Sequence, residues 1–296
     1  MPRYRTPLRY PGGKQRLAPF VAEVLEKNEA VGWNYVEPYA GGAGVAMELL
    51  LNKKVGHVYL NDSSVHIYAF WRAVLNEPEA FCRRISRASL TLETWRSHRE
   101  VVRHPDEHDL NELGFSTFFL NRCNRSGILT AGVIGGVAQR GKWRIDARFP
   151  RNELIRRIEV IASKARHITV TNLDAELFIE RRVNALAPET LVYCDPPYFA
   201  RAAHLYLNTY LPRDHTRLAQ VIQGKLRRPW IVSYDGHPTI ISLYRNRRKF
   251  RYSLQYSAIR AYAGSEVFVF SDSLLIPSTS ALPYIAKALP NLRRSA

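Results

Sequence analysis

Cysteine is scarce in this chain, acidic residues are few, and no long apolar run occurs. The three cysteines among 296 residues, Cys82, Cys123 and Cys194, are widely spaced and odd in number. They form neither a disulfide framework nor a zinc pattern. The basic amino terminus, residues 1–17, lacks an apolar signal core. No lysine-rich amphipathic helix or apolar span points to a membrane. The expected setting is therefore a reducing cytoplasm, without membrane contact and with no obligate protein partner evident. Internal repeats and low-complexity segments are also absent. The acidic deficit is the most informative shortage: 26 Asp and Glu stand against 43 Lys and Arg, a net charge of +17. Such an excess calls for a polyanionic partner, nucleic acid being the commonest, with a merely soluble basic protein as the alternative. Hydrophobic content of 46% and charged content of 23% are those of a globular chain able to bury a sizeable core in one or two domains.

What is present begins with strand and helix patterns. Residues 16–28 carry a helical apolar stripe at Leu17, Phe20, Val21, Val24 and Leu25. Residues 35–39 read as a strand closed by the small-residue turn 40–44, followed by a helix from Val45 to about Asn52 and a strand at 57–60. This is a β-α-β unit, which implies parallel strands. From about residue 65 to 164 helical patterns and aromatics dominate, with a glycine-rich stretch at 127–141 and a basic one at 140–144. Strands resume at 168–171, 191–194 and 231–234, and two closely spaced strands, 252–256 and 267–271, suit an antiparallel hairpin. The expected fold is α/β, with a Rossmann-like sheet built from residues 1–64 and 165–296. Residues 65–164 are expected to form an inserted, mainly helical subdomain.

Asp195-Pro196-Pro197-Tyr198 follows the buried-strand run 191–194. Two prolines cannot continue a ladder, so the chain leaves the sheet in a fixed, extended conformation. One carboxylate, one rigid carbonyl and one aromatic ring then stand together at the carboxyl edge, where open α/β sheets bind ligands. A flat heterocycle with an exocyclic amino group fits that set; an ordinary Pro-Pro turn is the alternative. The loop 37–44, Glu-Pro-Tyr-Ala-Gly-Gly-Ala-Gly, matches neither G-x-G-x-x-G nor a Walker loop. It therefore suits a nucleotide without a bridging pyrophosphate, and Glu37, Pro38, Gly41, Gly42 and Gly44 are its cofactor candidates. A tight packing turn is the competing reading. Asp62 ends the next strand about twenty residues beyond the glycines, where an acid takes ribose hydroxyls, unless it only caps the following helix. Adenosine without pyrophosphate on such a sheet points to S-adenosylmethionine. Asp174 could then meet the adenine amino group, or be a surface aspartate. Lys14, in a glycine turn, could bind the methionine carboxylate, or be solvated.

Residues 118–127 mix Arg and Asn with aromatics, the types that read base edges and stack on bases. Arg122, Asn124, Arg125, Lys142 and Arg144 are the candidates for DNA contact. Residues 245–251 hold five basic side chains in seven, a phosphate-binding stretch or a solvated charge run. His104-Pro105-Asp106-Glu107-His108 reads as an exposed loop, and no metal is assigned.

The ordered set YPGGK (10–14), EPYAGGAG (37–44), LND (60–62) and CDPPY (194–198) resembles the DNA N6-adenine methyltransferases of the Dam type. The similarity extends over nearly the whole chain, including Ser233-Tyr234-Asp235 and the terminal strands. The resemblance implies site-specific methylation of adenine N6 in double-stranded DNA, with S-adenosyl-L-methionine as donor and base flipping. It implies that Tyr10, Lys14, Asp62 and Asp195 surround the cofactor, that Asp195 also faces the base, and that residues 65–164 recognise the target. Bacterial, phage and plasmid origins fit equally, as does a restriction partner. The hairpin of Dam-type enzymes that recognise GATC departs at residues 121–132, with Arg125 for Tyr, Ser126 for Asn and Thr130 for the base-reading Arg. GATC is therefore not the expected target. An N4-cytosine enzyme, an RNA or protein-glutamine methyltransferase, and a catalytically silent DNA-binding module are the rivals.

Overall fold

The structure is a computed structural model and describes residues 6–9, 14–199, 210–256 and 262–277. Seven strands form one sheet: β1 (Asn34–Glu37), β2 (His57–Asn61), β3 (Ile168–Thr171), β4 (Thr190–Cys194), β5 (Trp230–Asp235), β6 (Arg248–Tyr256) and β7 (Tyr262–Phe270). Their order is β3-β2-β1-β4-β5-β7-β6. The first five run parallel wherever they pair with one another, while β7 runs antiparallel to both β5 and β6. The short connection between β6 and β7 permits only an antiparallel pairing, because a parallel return needs a crossover.

From β1 the chain steps outward through β2 to β3, then returns to lay β4 on the other side of β1. The order therefore reverses between β1 and β4, which opens a crevice at their carboxyl ends. The glycine loop leaves β1 and the Asp-Pro-Pro-Tyr segment leaves β4, so both motifs border the same crevice.

Helices cover the two faces. α1 (Ala18–Lys27) and α2 (Gly44–Leu51) pack on one, and α1 drives Phe20 against Phe250, Phe268 and Phe270 with ring centroids 5.0–6.1 Å apart. α8 (Ala175–Arg181), α9 (Pro212–Gly224) and α10 (Pro238–Leu243) cover the other with Phe178, Leu218, Ile222 and Ile240. Strand alternation sorts the residues: Tyr193, Phe268 and Phe270 join the first core, while Cys194, Val267 and Val269 join the second. Cys194 thus points away from its neighbour Asp195, into apolar packing.

Between β2 and β3 lie α3 (Val65–Asn76), α4 (Pro78–Arg87), α5 (Leu92–Arg103), α6 (Leu110–Cys123) and α7 (Arg151–Ala162). Their aromatics Phe70, Trp71, Phe81, Phe115 and Phe118 are continuous with the core under the sheet. The packing does not break at residue 64. Trp71, fully buried on α3, donates its indole N–H to the Gly41 carbonyl at 3.0 Å and braces the glycine loop. Among the described residues no helix is long and apolar enough to cross a membrane, and no group of three or more His, Cys, Asp or Glu is placed to hold a metal.

Candidate active site

At the end of β4, Asp195 stands on the face occupied by Tyr193, and its side chain is 24% exposed. The register that pairs Cys194 with Val232 puts Ser233 next to it. Ser233 donates its hydroxyl to Asp195 Oδ1 at 2.7 Å, and Tyr193 OH lies 2.9 Å from the Ser233 oxygen. The Lys14 ammonium is 3.3 Å from the same Oδ1. Burial pushes the Asp195 carboxyl up, the Lys14 cation pulls it back, and Glu266 pushes it up again. The structure therefore holds one oxygen of Asp195, Oδ1, from two sides.

Lys14 is the hinge of this arrangement. Its ammonium pairs with both Asp195 and Glu266 and lies 5.1 Å from the centre of the Tyr198 ring. Both partners are carboxylates of its own chain, which the sequence did not predict for it. Burial opposes its charge, but those acids hold its pKa well above the ordinary lysine value. Tyr198, 6% exposed, donates its hydroxyl to Glu266 at 2.7 Å. Phe199 N–H donates to Asp235 Oδ1 at 3.0 Å, tying the Pro-Pro segment to the end of β5.

The neighbouring loop is held by acids. Asp62 accepts the Gly41 N–H at 2.9 Å and the Ser64 N–H at 3.0 Å, and burial lifts its pKa to about 6. Gly41 turns the chain at φ 46°, a left-handed conformation that glycine adopts without strain. Gly44 serves protein packing, since a Cβ there would lie 3.0 Å from Gln15 Cβ. Glu37, buried beside Pro38, accepts the Ala46 N–H at 3.0 Å at the start of α2. Burial raises its pKa to about 8. Asp174 caps α8, accepting the N–H groups of Glu176 and Leu177 at 3.0 and 3.2 Å, and its carboxylate has that structural task whatever else it meets. Gly42 lies buried in the same turn, and Tyr10 lies outside the described residues.

A strand-end carboxylate followed by two prolines and a tyrosine, beside a glycine loop at the switch point of the sheet, has a counterpart among known proteins. Residues 10–261 match the family of D12 class N6 adenine-specific DNA methyltransferases. The chain belongs to that family. It is 25% identical over 271 residues to the Retron Ec67 DNA adenine methylase of Escherichia coli, covering 84% of this chain and 86% of that one. It is 24% identical over 204 residues to a DNA adenine methylase of Vibrio cholerae serotype O1, covering 67% of this chain and 66% of that one. The chain is accordingly an adenine-specific DNA methyltransferase.

Within this methyltransferase two of the five residues expected to meet DNA are turned inward. Arg122 is buried, donating to the carbonyls of Arg148 at 2.6 Å and Pro7 at 3.4 Å. Burial, then Arg9 and Arg157, lower its pKa to about 9. Asn124 is fully buried, donating to the carbonyls of Ile128 and Leu129 and accepting the Trp95 indole N–H at 2.7 Å. Both residues end α6 on its packed side, so their polar groups organise the turn that follows. Arg125, Lys142 and Arg144 are exposed. The turn closes where Arg125 N–H donates to the Gly132 carbonyl at 3.0 Å and Asn124 bridges to Val133. Three of the five basic residues in 245–251 spend donors internally: Arg247 pairs with Asp272, Arg248 donates to the Ser271 and Asp272 carbonyls, and Lys249 to those of Tyr244, Arg245 and Arg247, while Arg245 is exposed.

Glu266 carries no motif signal, and Asn61, inside Leu60-Asn61-Asp62, was not among the candidate site residues. Glu266 lies in β7, 71 positions beyond Asp195 in the chain. Asn61, fully buried, donates to the carbonyls of Pro38 and Leu173 and accepts the Leu173 N–H, joining the ends of the first three strands. Polar residues inside apolar strands were the available sign, since a buried polar group must find partners.

Proposed function

We propose that this methyltransferase moves a methyl group from S-adenosyl-L-methionine to the N6 nitrogen of an adenine flipped out of duplex DNA. The observation that carries the reading is Asp195, a carboxylate at the switch point whose Oδ1 is held by Ser233 and Lys14. The adenine amino nitrogen is a poor nucleophile because its lone pair is delocalised into the ring. Asp195 Oδ2 and the Pro196 carbonyl accept its two N–H hydrogens, which favours tetrahedral nitrogen and localises the lone pair. Pro197 keeps that carbonyl in a fixed direction, and the Tyr198 ring stacks on the extruded base. A proton leaves the nitrogen after transfer, so positioning and electrostatics suffice and no covalent enzyme intermediate is needed.

The charges at the crevice support that donor. In a protein of net charge +17, Asp62 and Asp195 bring carboxylates to the carboxyl ends of β2 and β4, on either side of β1, an acidic edge suited to a cationic ligand. S-adenosylmethionine, when bound, supplies an electrophilic methyl on a sulfonium. Asp62 keeps acceptor capacity for ribose hydroxyls beyond its two backbone bonds, because a carboxylate offers about four lone-pair sites. Gly41 and Gly42 leave the backbone bare for close approach, with Glu37 and Pro38 forming the floor. Residues 65–164 provide target recognition, with Arg125, Lys142 and Arg144 on the DNA.

Asp195→Ala tests the assignment. Cofactor binding by calorimetry should be retained, while transfer of labelled methyl to duplex DNA falls on the order of 10²-fold or more. Near-normal turnover by the purified variant overturns the role given to Asp195. Sequencing modified bases in DNA from cells expressing the chain identifies the target site.

A further inference from the structure

We propose that Glu266 is a positioning residue for methyl transfer, holding the Tyr198 ring in place and keeping part of the Lys14 charge away from Asp195. The proposal rests on the roles given above to Asp195 and Tyr198. Glu266 occupies a face of β7 that should be apolar. Two and four residues further on, Phe268 and Phe270 share that face and stack within the aromatic core around Phe20. Glu266 itself is only 1% exposed. A carboxylate there is strongly disfavoured unless donors surround it.

Three donors do. Oε1 accepts the Tyr198 hydroxyl at 2.7 Å. Oε2 accepts the Tyr252 hydroxyl at 2.5 Å and the Lys14 ammonium. Tyr252 is the cross-strand partner of Glu266 on β6, so its bond is local and fixes the carboxylate against the sheet. The other two donors come from segments far away in sequence, and both belong to the site. Glu266 therefore links the frame of the sheet to the residues around the target base.

Two consequences follow from this geometry. The Tyr198 ring follows two prolines, and its hydroxyl bond removes the rotational freedom that its chain connection leaves. A ring intended to stack on a base is thereby set before the base arrives. The Lys14 ammonium lies between two carboxylates, at 3.3 Å from Asp195 Oδ1 and closer to Glu266. Without Glu266, Lys14 would draw wholly onto Asp195 and compete with the adenine amino group for its lone pairs.

The test compares Glu266→Gln, Tyr198→Phe and the double variant with Asp195→Ala, all as full chains. Tyr198→Phe removes one hydroxyl and keeps the ring, so it tests the link even if Glu266→Gln folds poorly. Each single variant should lower kcat by about 10- to 100-fold, the scale of small misplacements at a reacting centre. The cofactor Kd from calorimetry should stay within about threefold of wild type, since neither change touches the loop around Asp62. The double variant should be no slower than the slower single one, because both changes break the same link. Wild-type kcat in both singles overturns the proposal. Multiplicative losses in the double, or parallel losses of cofactor affinity and Tm, show a merely structural role and also overturn it. If Asp195→Ala retains turnover, the site reading itself has failed; if Asp195→Ala is inactive while the Glu266 and Tyr198 variants are normal, only this inference has.

Discussion

Glu37 offers a clean test of how burial governs this site. Its side chain sits at the end of β1 with its acceptor turned to the Ala46 N–H, and burial raises its pKa from an ordinary 4.5 to about 8. At neutral pH the folded protein therefore holds Glu37 protonated, while the unfolded chain ionises it. Below pH 4.5 both states carry the proton and the group contributes no pH dependence. Between 4.5 and about 8, unfolding releases a proton, so stability falls as pH rises. The slope is about 1.4 kcal/mol per pH unit, and the whole window amounts to on the order of 5 kcal/mol. Glu37→Gln removes the titration while keeping size and the acceptor for Ala46. The variant should match wild type near pH 5 and exceed it at pH 8 to 9, by roughly 10 °C in Tm for a chain of this size. Thermal melts of both proteins across that range measure the difference directly, and other carboxylates cancel in the subtraction. A difference that stays flat from pH 5 to 9, or that favours wild type at high pH, refutes the argument.

Two further outcomes separate fold from recognition. Arg122→Ala should destabilise by on the order of 2 kcal/mol, because it orphans buried carbonyls, whereas Arg125→Ala should leave Tm unchanged and alter the methylated-site profile. Melting curves and modified-base sequencing decide between them, and an unchanged melt for Arg122→Ala contradicts its structural role. Trp143 is 61% exposed and Val137 68% exposed on a loop pinned by the Gln139 amide, whose groups bond Ile134, Gly136 and Ile145. Trp143→Ala should weaken duplex DNA binding without changing Tm, and Lys142→Ala should reduce the log–log salt slope by about 1. Anisotropy titrations over a salt series read both effects, and unchanged affinity and slope would place the DNA elsewhere.

Much of the sheet was legible in the chain. Alternating and continuous apolar runs marked five parallel strands to within a residue or two of their ends, since burial on both faces leaves little choice of residue. β6 and β7 begin earlier than their apolar patterns suggest, at Arg248 and Tyr262, because hairpin pairing carries a strand through polar positions. The stretch around residues 118–127 was less legible. Arg and Asn near a helix end look alike whether they read bases or satisfy carbonyls, and Arg122 and Asn124 do the second. In 245–251 the same ambiguity holds, since the long side chains of Arg248 and Lys249 reach back to nearby carbonyls.

Asp195-Pro196-Pro197-Tyr198 and the glycine loop are local signals: prolines stop a strand and glycines bend a turn wherever the chain goes, so their place at strand ends could be read along the sequence. The partners of Asp195 could not. Ser233 reaches it through the β4–β5 register, and Glu266 reaches Lys14 and Tyr198 from a strand that runs the opposite way. Such contacts follow from strand order, which depends on how the whole core packs rather than on any window of residues. The chain by itself pointed to an adenine-specific DNA methyltransferase and to a strand-end Asp-Pro-Pro-Tyr segment beside a glycine loop. Tertiary structure alone decided which oxygen of Asp195 is held, what restrains Lys14, and which arginines stay on the surface, because each depends on burial and on groups brought together from distant parts of the sequence.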